Sequence, residues 1–421
     1  MYRCVRWEKS KEKLQHYLRR EPERSALYQL VYHGREELTR VWRERFQSEY
    51  GVLRDEVVVT LDEYLNCGLL AHGAARVYCD TCKHSLLVAF SCKKRGVCPS
   101  CGAKRAVKFA EHLHENVLEE VPNRHVVFTI PKRLRGYFRY NRKLHSVLFR
   151  AAWGSIDEVL GIGGGVPAAV LTLQTAGEAL NFHPHLHGAL ADGIFYPDGT
   201  FQRFAVIDQG ALVNAFGDRV LEELRDRDLI TDEDVTQIVS QKHTGFNVWL
   251  GDTFEDAESE RFVARYIERG PISLEKLSIQ DDVITYTTKD QVAHEFDALE
   301  FLALLSCHIP KPYESLTRYY GWYSCRSRGE RRKAKNVPTP ATEPASATSS
   351  SWAACIKRVY EIDPLECPKC KGTMRIIAFI TDEKTLAGIM SSQGSPPFQP
   401  PKPLAQSPPE AETFDPGPEY W

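Results

Sequence analysis

Between Asn181 and Gly188 the sequence reads Asn-Phe-His-Pro-His-Leu-His-Gly, and its three histidines recur at every second position in an otherwise apolar run. A period of two belongs to a strand, where alternate side chains leave the same face, so His183, His185 and His187 share one face of a sheet. Leu171 to Thr175 ahead and Gly188 to Leu190 behind make this a central, buried strand. Unpartnered imidazoles are costly in such a place. Two rings separated by one apolar residue instead form half of a metal site, with positions left open for substrate. The plainer alternative is a polar stripe on a half-buried strand, and the rest of the chain decides between them.

Ala168 to Thr175 reads as a second strand, and the turn Ala176-Gly177-Glu178 folds it back on the histidine strand as a hairpin. That pairing brings Gln174 beside the histidines, where its carbonyl oxygen is a candidate third ligand. Two imidazoles and an amide oxygen suit Mg2+ or Mn2+ better than a closed zinc site.

Twelve cysteines in 421 residues invite a disulfide framework, but no export signal precedes them, and paired Cys-x-x-Cys units then more often hold metal. Cys79-Asp-Thr-Cys82 and Cys98-Pro-Ser-Cys101 have the spacing of a zinc ribbon, in which four thiolates close a structural Zn2+ site. Cys79, Cys82, Cys98 and Cys101 are the expected ligands, with Cys92 and His84 as alternates. Cys367-Pro-Lys-Cys370 is a lone knuckle, completed by Cys355 or left empty.

Charge is segregated although the formal net charge is only −2. Residues 83–150 hold 15 Lys/Arg against 4 Asp/Glu, and residues 205–260 hold 4 against 14. The basic third is the expected polyanion-facing surface. Within it, Arg124 to Pro131 reads as a strand, followed by Arg133, Arg135, Tyr137, Tyr140, Arg142 and Lys143. Cations beside rings that stack on bases are what a single-strand groove requires, and a solvated amphipathic helix is the bland alternative. Asp256 to Arg269 is a helix stopped by Gly270-Pro271. Phe262 and Tyr266, four apart, share one of its faces. Arg265 and Arg269 flank Tyr266, whose phenol ordinarily titrates near 10, and two guanidiniums favour a phenolate and hold a phosphate.

The expected organisation is a helical region over 1–75, a zinc ribbon over 76–115, a main domain with the histidine and tyrosine motifs over 120–335, a Pro/Ser-rich linker over 336–351, a small segment over 352–382 and a disordered tail over 383–421. Val292 to Leu305 is expected to be an amphipathic helix. No apolar run is long enough to span a bilayer, so a cytoplasmic, nucleoid-associated protein is expected. Gly161 to Gly165 lacks the Lys-Ser/Thr of a P-loop and reads as a turn.

Four motifs in order over roughly residues 57–378 resemble the rolling-circle transposases of the insertion sequence ninety-one type, a branch of the His-hydrophobic-His (HUH) nuclease superfamily. They are Tyr78-Cys-x-x-Cys82 with Ser91-Cys-x5-Cys-Pro-Ser-Cys101, His183-Pro-His-Leu-His187, Arg265-Tyr-Ile-x-Arg-Gly-Pro-Ile-Ser273, and His308-Ile-Pro through Arg318-Tyr-Tyr-Gly321. The resemblance implies an α+β nuclease fold with a central antiparallel sheet flanked by helices. It implies His185 and His187 as the metal pair, His183 as an auxiliary and Tyr266 as the nucleophile. Some relatives carry two tyrosines four residues apart on this helix, and here Phe262 takes the earlier place.

Residue chemistry and resemblance together lead to a transposase that nicks and rejoins single-stranded or hairpin DNA of element ends through a 5′-phosphotyrosine, with oligomerisation compatible. The alternatives are a plasmid replication initiator or relaxase using the same chemistry, and a zinc-ribbon DNA-binding protein with a dead nuclease fold. A barrel-type His-x-His metallohydrolase lacks its strand-helix repeats.

Overall fold

The computed structural model describes residues 21–161, 163–280, 283–334, 365–392 and 398–401. The first α-helix among the described residues is α1 (Ala26–Arg45), capped by the Ser25 hydroxyl, followed by α2 (Gln47–Tyr50) and α3 (Asp55–Leu65). Leu27, Leu30, Val31, Leu38 and Trp42 fall on the buried stripe that their spacing predicts. A hairpin of β1 (Ala74–Cys79) and β2 (Ser85–Ala89) leads into α4 (Pro99–Asn116).

The next stretch contains β3 (Asn123–Thr129), α5 (Arg135–Tyr140), α6 (His145–Leu160), β4 (Ala168–Ala176), β5 (Phe182–Ala191), β6 (Gly193–Phe195) and β7 (Phe201–Arg203). It continues with α7 (Gln209–Arg225), α8 (Asp232–Val239), β8 (Asn247–Phe254) and α9 (Ala257–Ile267). Then come β9 (Leu277–Gln280), β10 (Val283–Thr287), β11 (Ala293–Phe296), α10 (Ala298–His308), β12 (Thr317–Gly321) and α11 (Cys325–Ala334), with β13 (Met374–Ile380) and α12 (Glu383–Ser392) last.

The main sheet runs β12-β4-β5-β3-β8, antiparallel throughout, and the histidine strand β5 is its centre. This is the α+β architecture expected, and β4 and β5 form the expected hairpin with Gln174 opposite His185. Period two divides the sheet's two faces. Val126, Phe128, Leu171, Leu173, Leu186 and Leu190 form one core with α6 and α7. On the other face small residues, Ala168, Val170, Ala189 and Ala191, allow α4 and α9 to approach.

Three expectations change. Residues 292–305 do not make one helix: β11 pairs with β10, and α10 starts only where Asp297 caps it with bonds to the Leu299 and Glu300 amides. The helical N-terminus is no separate unit, since α1, α10 and β10 share one core. A Cβ on Gly34 would meet Leu302 Cδ1 at 2.7 Å, so α1 and α10 pack closely at this point. The segment from β13 on is neither isolated nor wholly a tail. β13 pairs with β1, and Leu386 and Met390 of α12 pack on Leu70, Ala74 and Leu87. The linker over 336–351 and Cys355 lie outside the described residues, as does the chain from 402 on. Among the described residues no helix is long and apolar enough to cross a membrane.

Candidate active site and metal centres

Strand alternation places the His183, His185 and His187 rings side by side, with centroids 4.9 Å and 4.8 Å apart. His185 and His187 are buried. Burial lowers the His187 pKa to about 2 and that of His183 to about 3, with the neighbouring imidazoles adding to the shift, and it lowers His185 as well. The rings are therefore neutral at ordinary pH, the form able to ligate a metal.

Their tautomers follow from their partners. His185 Nδ1 donates to the His183 carbonyl oxygen at 2.6 Å, which leaves a lone pair on Nε2. His187 Nδ1 is 3.0 Å from His125 Nε2, so a proton on His187 Nδ1 frees its Nε2 too. His183 Nε2 is buried without a hydrogen-bond partner. A free Nε2 on His185, a second on His187 when His125 is the acceptor, and one orphaned imidazole nitrogen beside them fit a divalent ion such as Mg2+ or Mn2+.

Tyr266 arrives from α9. Asp256 caps this helix by accepting from the Glu258 and Ser259 amides, and Glu260, Ala264 and Ile267 turn inward. The Tyr266 ring stands edge-on to His187 at 5.4 Å and to His125 at 5.6 Å, while 43% of the residue remains exposed. Gln174 Nε2 donates to the carbonyls of Tyr266 and Ile267 at 3.1 and 2.8 Å, tying the end of α9 to the strand beside the histidines. These bonds occupy its amide nitrogen and leave Oε1 as the atom able to ligate. Phe262 is exposed one turn earlier.

Helix α4 holds α9 from the far side. His114 Nδ1 is 2.7 Å from the buried Glu260 carboxylate, Arg261 reaches Glu111 at 3.7 Å, and Arg105 reaches Glu268 at 3.8 Å.

The basic segment is less unified than its composition suggests. Arg135 lies near enough to His183 and His185 to depress their pKa values. Arg133 instead faces Asp234 at 3.4 Å, and the Tyr140 hydroxyl donates to the Glu49 carbonyl at 2.7 Å. Tyr137 packs on the core and Phe138 is fully buried, so of these rings Tyr140 alone is well exposed. Arg265 and Arg269 are exposed on α9 and just beyond it.

The cysteines form two sets rather than the single ribbon expected from Cys79, Cys82, Cys98 and Cys101. Cys67, Cys92, Cys98 and Cys101 converge, with Sγ separations of 3.5, 3.8 and 3.7 Å for the pairs 67–98, 67–101 and 92–101. Cys79, Cys82, Cys367 and Cys370 converge separately, at 3.5 Å for 79–370 and 3.4 Å for 82–367. A tetrahedron with Zn–S near 2.3 Å requires sulfurs about 3.8 Å apart, so each set fits one Zn2+. The reason for the regrouping is tertiary. Cys98 caps α4 and Cys101 sits in its first turn, facing the end of α3, whereas the β1 knuckle meets its twin carried by β13. Both outer knuckles turn through a left-handed lysine, Lys83 at φ 64° and Lys371 at φ 61°.

Cys67 and His125 are the site residues that motif spacing misses. Cys67 is a single cysteine in sequence, and His125 joins the site only through the register of β3 against β5.

A family described as "Transposase zinc-binding domain" matches residues 38–130, which carry the first cysteine set, and one described as "Putative transposase" matches residues 168–331, which carry the histidines and Tyr266. The chain is 25% identical over 359 residues to the transposase for insertion sequence element IS801 of Pseudomonas savastanoi pv. phaseolicola, covering 79% of this chain and 86% of that protein. It is 26% identical over 353 residues to a protein of Sinorhizobium fredii named "Putative transposase y4qJ", covering 76% and 88%. No solved structure matches.

Proposed function

We propose that this chain, a transposase of the insertion sequence ninety-one type with an N-terminal zinc-binding domain, nicks and rejoins single-stranded or hairpin DNA at element ends through Tyr266. The observation that carries this reading is the placement of one half-exposed tyrosine edge-on to His187, whose strand neighbour His185 has its Nε2 free.

Tyr266 Oη attacks a phosphodiester phosphorus. An Oη–P bond forms as the bond from phosphorus to the 3′-oxygen breaks, the phenolic proton leaves to solvent, and the 3′-oxygen takes up a proton. The product is a 5′-phosphotyrosine and a free 3′-hydroxyl. Attack by a 3′-hydroxyl on that ester restores a phosphodiester and returns the tyrosine, so rejoining needs no nucleoside triphosphate. His185 and His187 would hold Mg2+ or Mn2+, with Gln174 Oε1 as a third donor and His183 as an auxiliary. When bound, such an ion polarises a nonbridging oxygen and supports the leaving oxygen. Gln174 holds the end of α9 against the sheet, and the apolar residues around the histidines keep the imidazoles neutral. Arg135, Arg265 and Arg269 bind the backbone, and Arg133 and the exposed Tyr140 extend the DNA-facing surface, while Tyr137 packs on the core behind them. The reaction takes place on DNA in the cytoplasm.

The test is incubation of the full-length protein and Mn2+ with single-stranded and duplex forms of one element end. A covalent protein–DNA adduct with the single strand supports the reading; no adduct with any end sequence overturns it.

A further inference from the structure

A cleft of about 80 Å³ lies between the zinc-binding unit and the main sheet, several times the roughly 10–15 Å³ that one water needs on the same measure. Arg95 and Arg105 form one wall, Gln174 of β4 another, and Glu268 and Arg269, just past α9, a third.

The charge in this cleft is one-sided. Arg95 donates to the carbonyls of Glu314 and Lys311 at 2.7 and 3.0 Å, bonds that fix its guanidinium without neutralising it. Arg105 donates to the Lys93 carbonyl at 3.1 Å and, among the described residues, has Glu268 as its one ion-pair partner, at 3.8 Å. Arg269 has no carboxylate partner among the described residues. A fourth arginine, Arg142, is matched by two bonds to Glu314. Four guanidiniums thus face two carboxylates, Glu314 and Glu268, and burial pushes the Glu268 pKa up, toward its neutral form.

The wall is also fixed in place. Gly96, at φ 81°, sits so close to the end of α10 that a Cβ would lie 2.6 Å from the His308 carbonyl oxygen. Arg95 lies between Cys92 and Cys98, and Arg105 is one turn beyond Cys101, so the first cysteine set carries both arginines to the cleft. Gln174 belongs both to this cleft and to the site, as the strand partner of His185 and the donor to the Tyr266 carbonyl. A fixed, cationic, phosphate-sized cavity one side chain away from a phosphoryl-transfer centre has a natural ligand.

We propose, building on the strand-transfer reading above, that this cleft holds one backbone phosphate of the single strand, adjoining the phosphate that Tyr266 attacks. The zinc-binding unit then supplies part of the substrate site itself.

The test is binding of the full-length protein to a mixed-sequence single-stranded oligonucleotide across a salt series at constant Mn2+. Arg105→Gln should lower the slope of log K against log salt by about 0.7, the increment for one phosphate on a single strand. Arg105→Gln with Arg269→Gln should lower it by no more, because both arginines serve the same phosphate. Zinc content should not change in either variant. An unchanged slope in the single variant, or about twice that loss in the double, overturns the cleft. Thermal protection of wild-type protein, but not of Arg105→Gln, by inorganic phosphate with no change in the DNA slope would assign the cleft to a free anion and overturn it for DNA. Wild-type protein that binds no single strand overturns the strand-transfer reading along with it, whereas the slope results bear on the cleft alone.

Discussion

His125 Nε2 lies 3.0 Å from His187 Nδ1, with the two rings stacked at 5.2 Å, so a histidine on the neighbouring strand shares one proton with a candidate metal ligand. His187 can offer Nε2 to a metal only if its Nδ1 carries the proton, and His125 is the acceptor that favours this arrangement. Burial lowers the His125 pKa to about 4, which keeps that acceptor neutral.

His125→Phe retains the ring and removes the acceptor. Mn2+ affinity measured by calorimetry should fall roughly 10- to 100-fold, while His125→Gln, which keeps an acceptor, should recover part of the loss. Unchanged affinity in the phenylalanine variant would sever His125 from the metal site.

Gln174 separates positioning from ligation. Because its amide nitrogen holds the Tyr266 and Ile267 carbonyls, Gln174→Met should slow adduct formation by roughly ten- to a hundredfold through misplacement of α9. Mn2+ affinity should suffer less than in His185→Ala. If both variants lose equal metal affinity, Oε1 of Gln174 is a full ligand and the positioning account is wrong.

Metal analysis of the full-length protein should give about two zinc equivalents. Cys367→Ser with Cys370→Ser should leave about one and lower the melting temperature, because β13 loses its clasp to β1. Two equivalents retained in that variant would mean that the Cys79 set does not bind zinc as a foursome.

His308 predicts an acid-sensitive core. It is buried between the Thr175 hydroxyl at 3.0 Å and the Leu180 carbonyl at 2.7 Å, and burial lowers its pKa to about 4. In the unfolded chain it takes up a proton below about pH 6.5, whereas the folded protein resists until about 4. Stability is therefore lost as pH falls from 6.5 toward 4, and no more is lost from this group below that. The drop in melting temperature between pH 7.5 and 5.0 should be smaller for His308→Gln than for wild type. Equal drops would place the sensitivity elsewhere.

The parts of the site encoded by local period were legible in the sequence. Alternation gave the shared face of His183, His185 and His187, the apolar flanks gave a central strand, and the Gly177 turn put Gln174 opposite His185. What required tertiary register was not. His125 meets His187 only because β3 pairs with β5 so that Val127 opposes His187. Spacing suggested that neighbouring Cys-x-x-Cys pairs share an ion, yet the Cys82 and Cys367 sulfurs, 285 residues apart, are 3.4 Å from each other. Thiol connectivity is set by the fold around it, not by sequence distance. The basic run after Pro131 looked uniform because composition does not say which side chains the core takes, and Phe138 went inward. Residues 292–305 looked like one helix because pairing with β10, which takes Ala293–Phe296 as a strand, is a tertiary contact that local spacing does not show.

Identification of the residue that becomes covalently attached to DNA bears most directly on the strand-transfer account. Wild-type protein incubated with a single-stranded element end and Mn2+ should yield one modified peptide, with the nucleotide on Tyr266. Tyr266→Phe, which keeps the ring against His187 and removes only the phenolic oxygen, should bind the strand with nearly unchanged affinity and form no adduct. Full adduct formation by Tyr266→Phe, or attachment mapped to another residue such as Tyr319 or the buried Tyr286, would contradict the account.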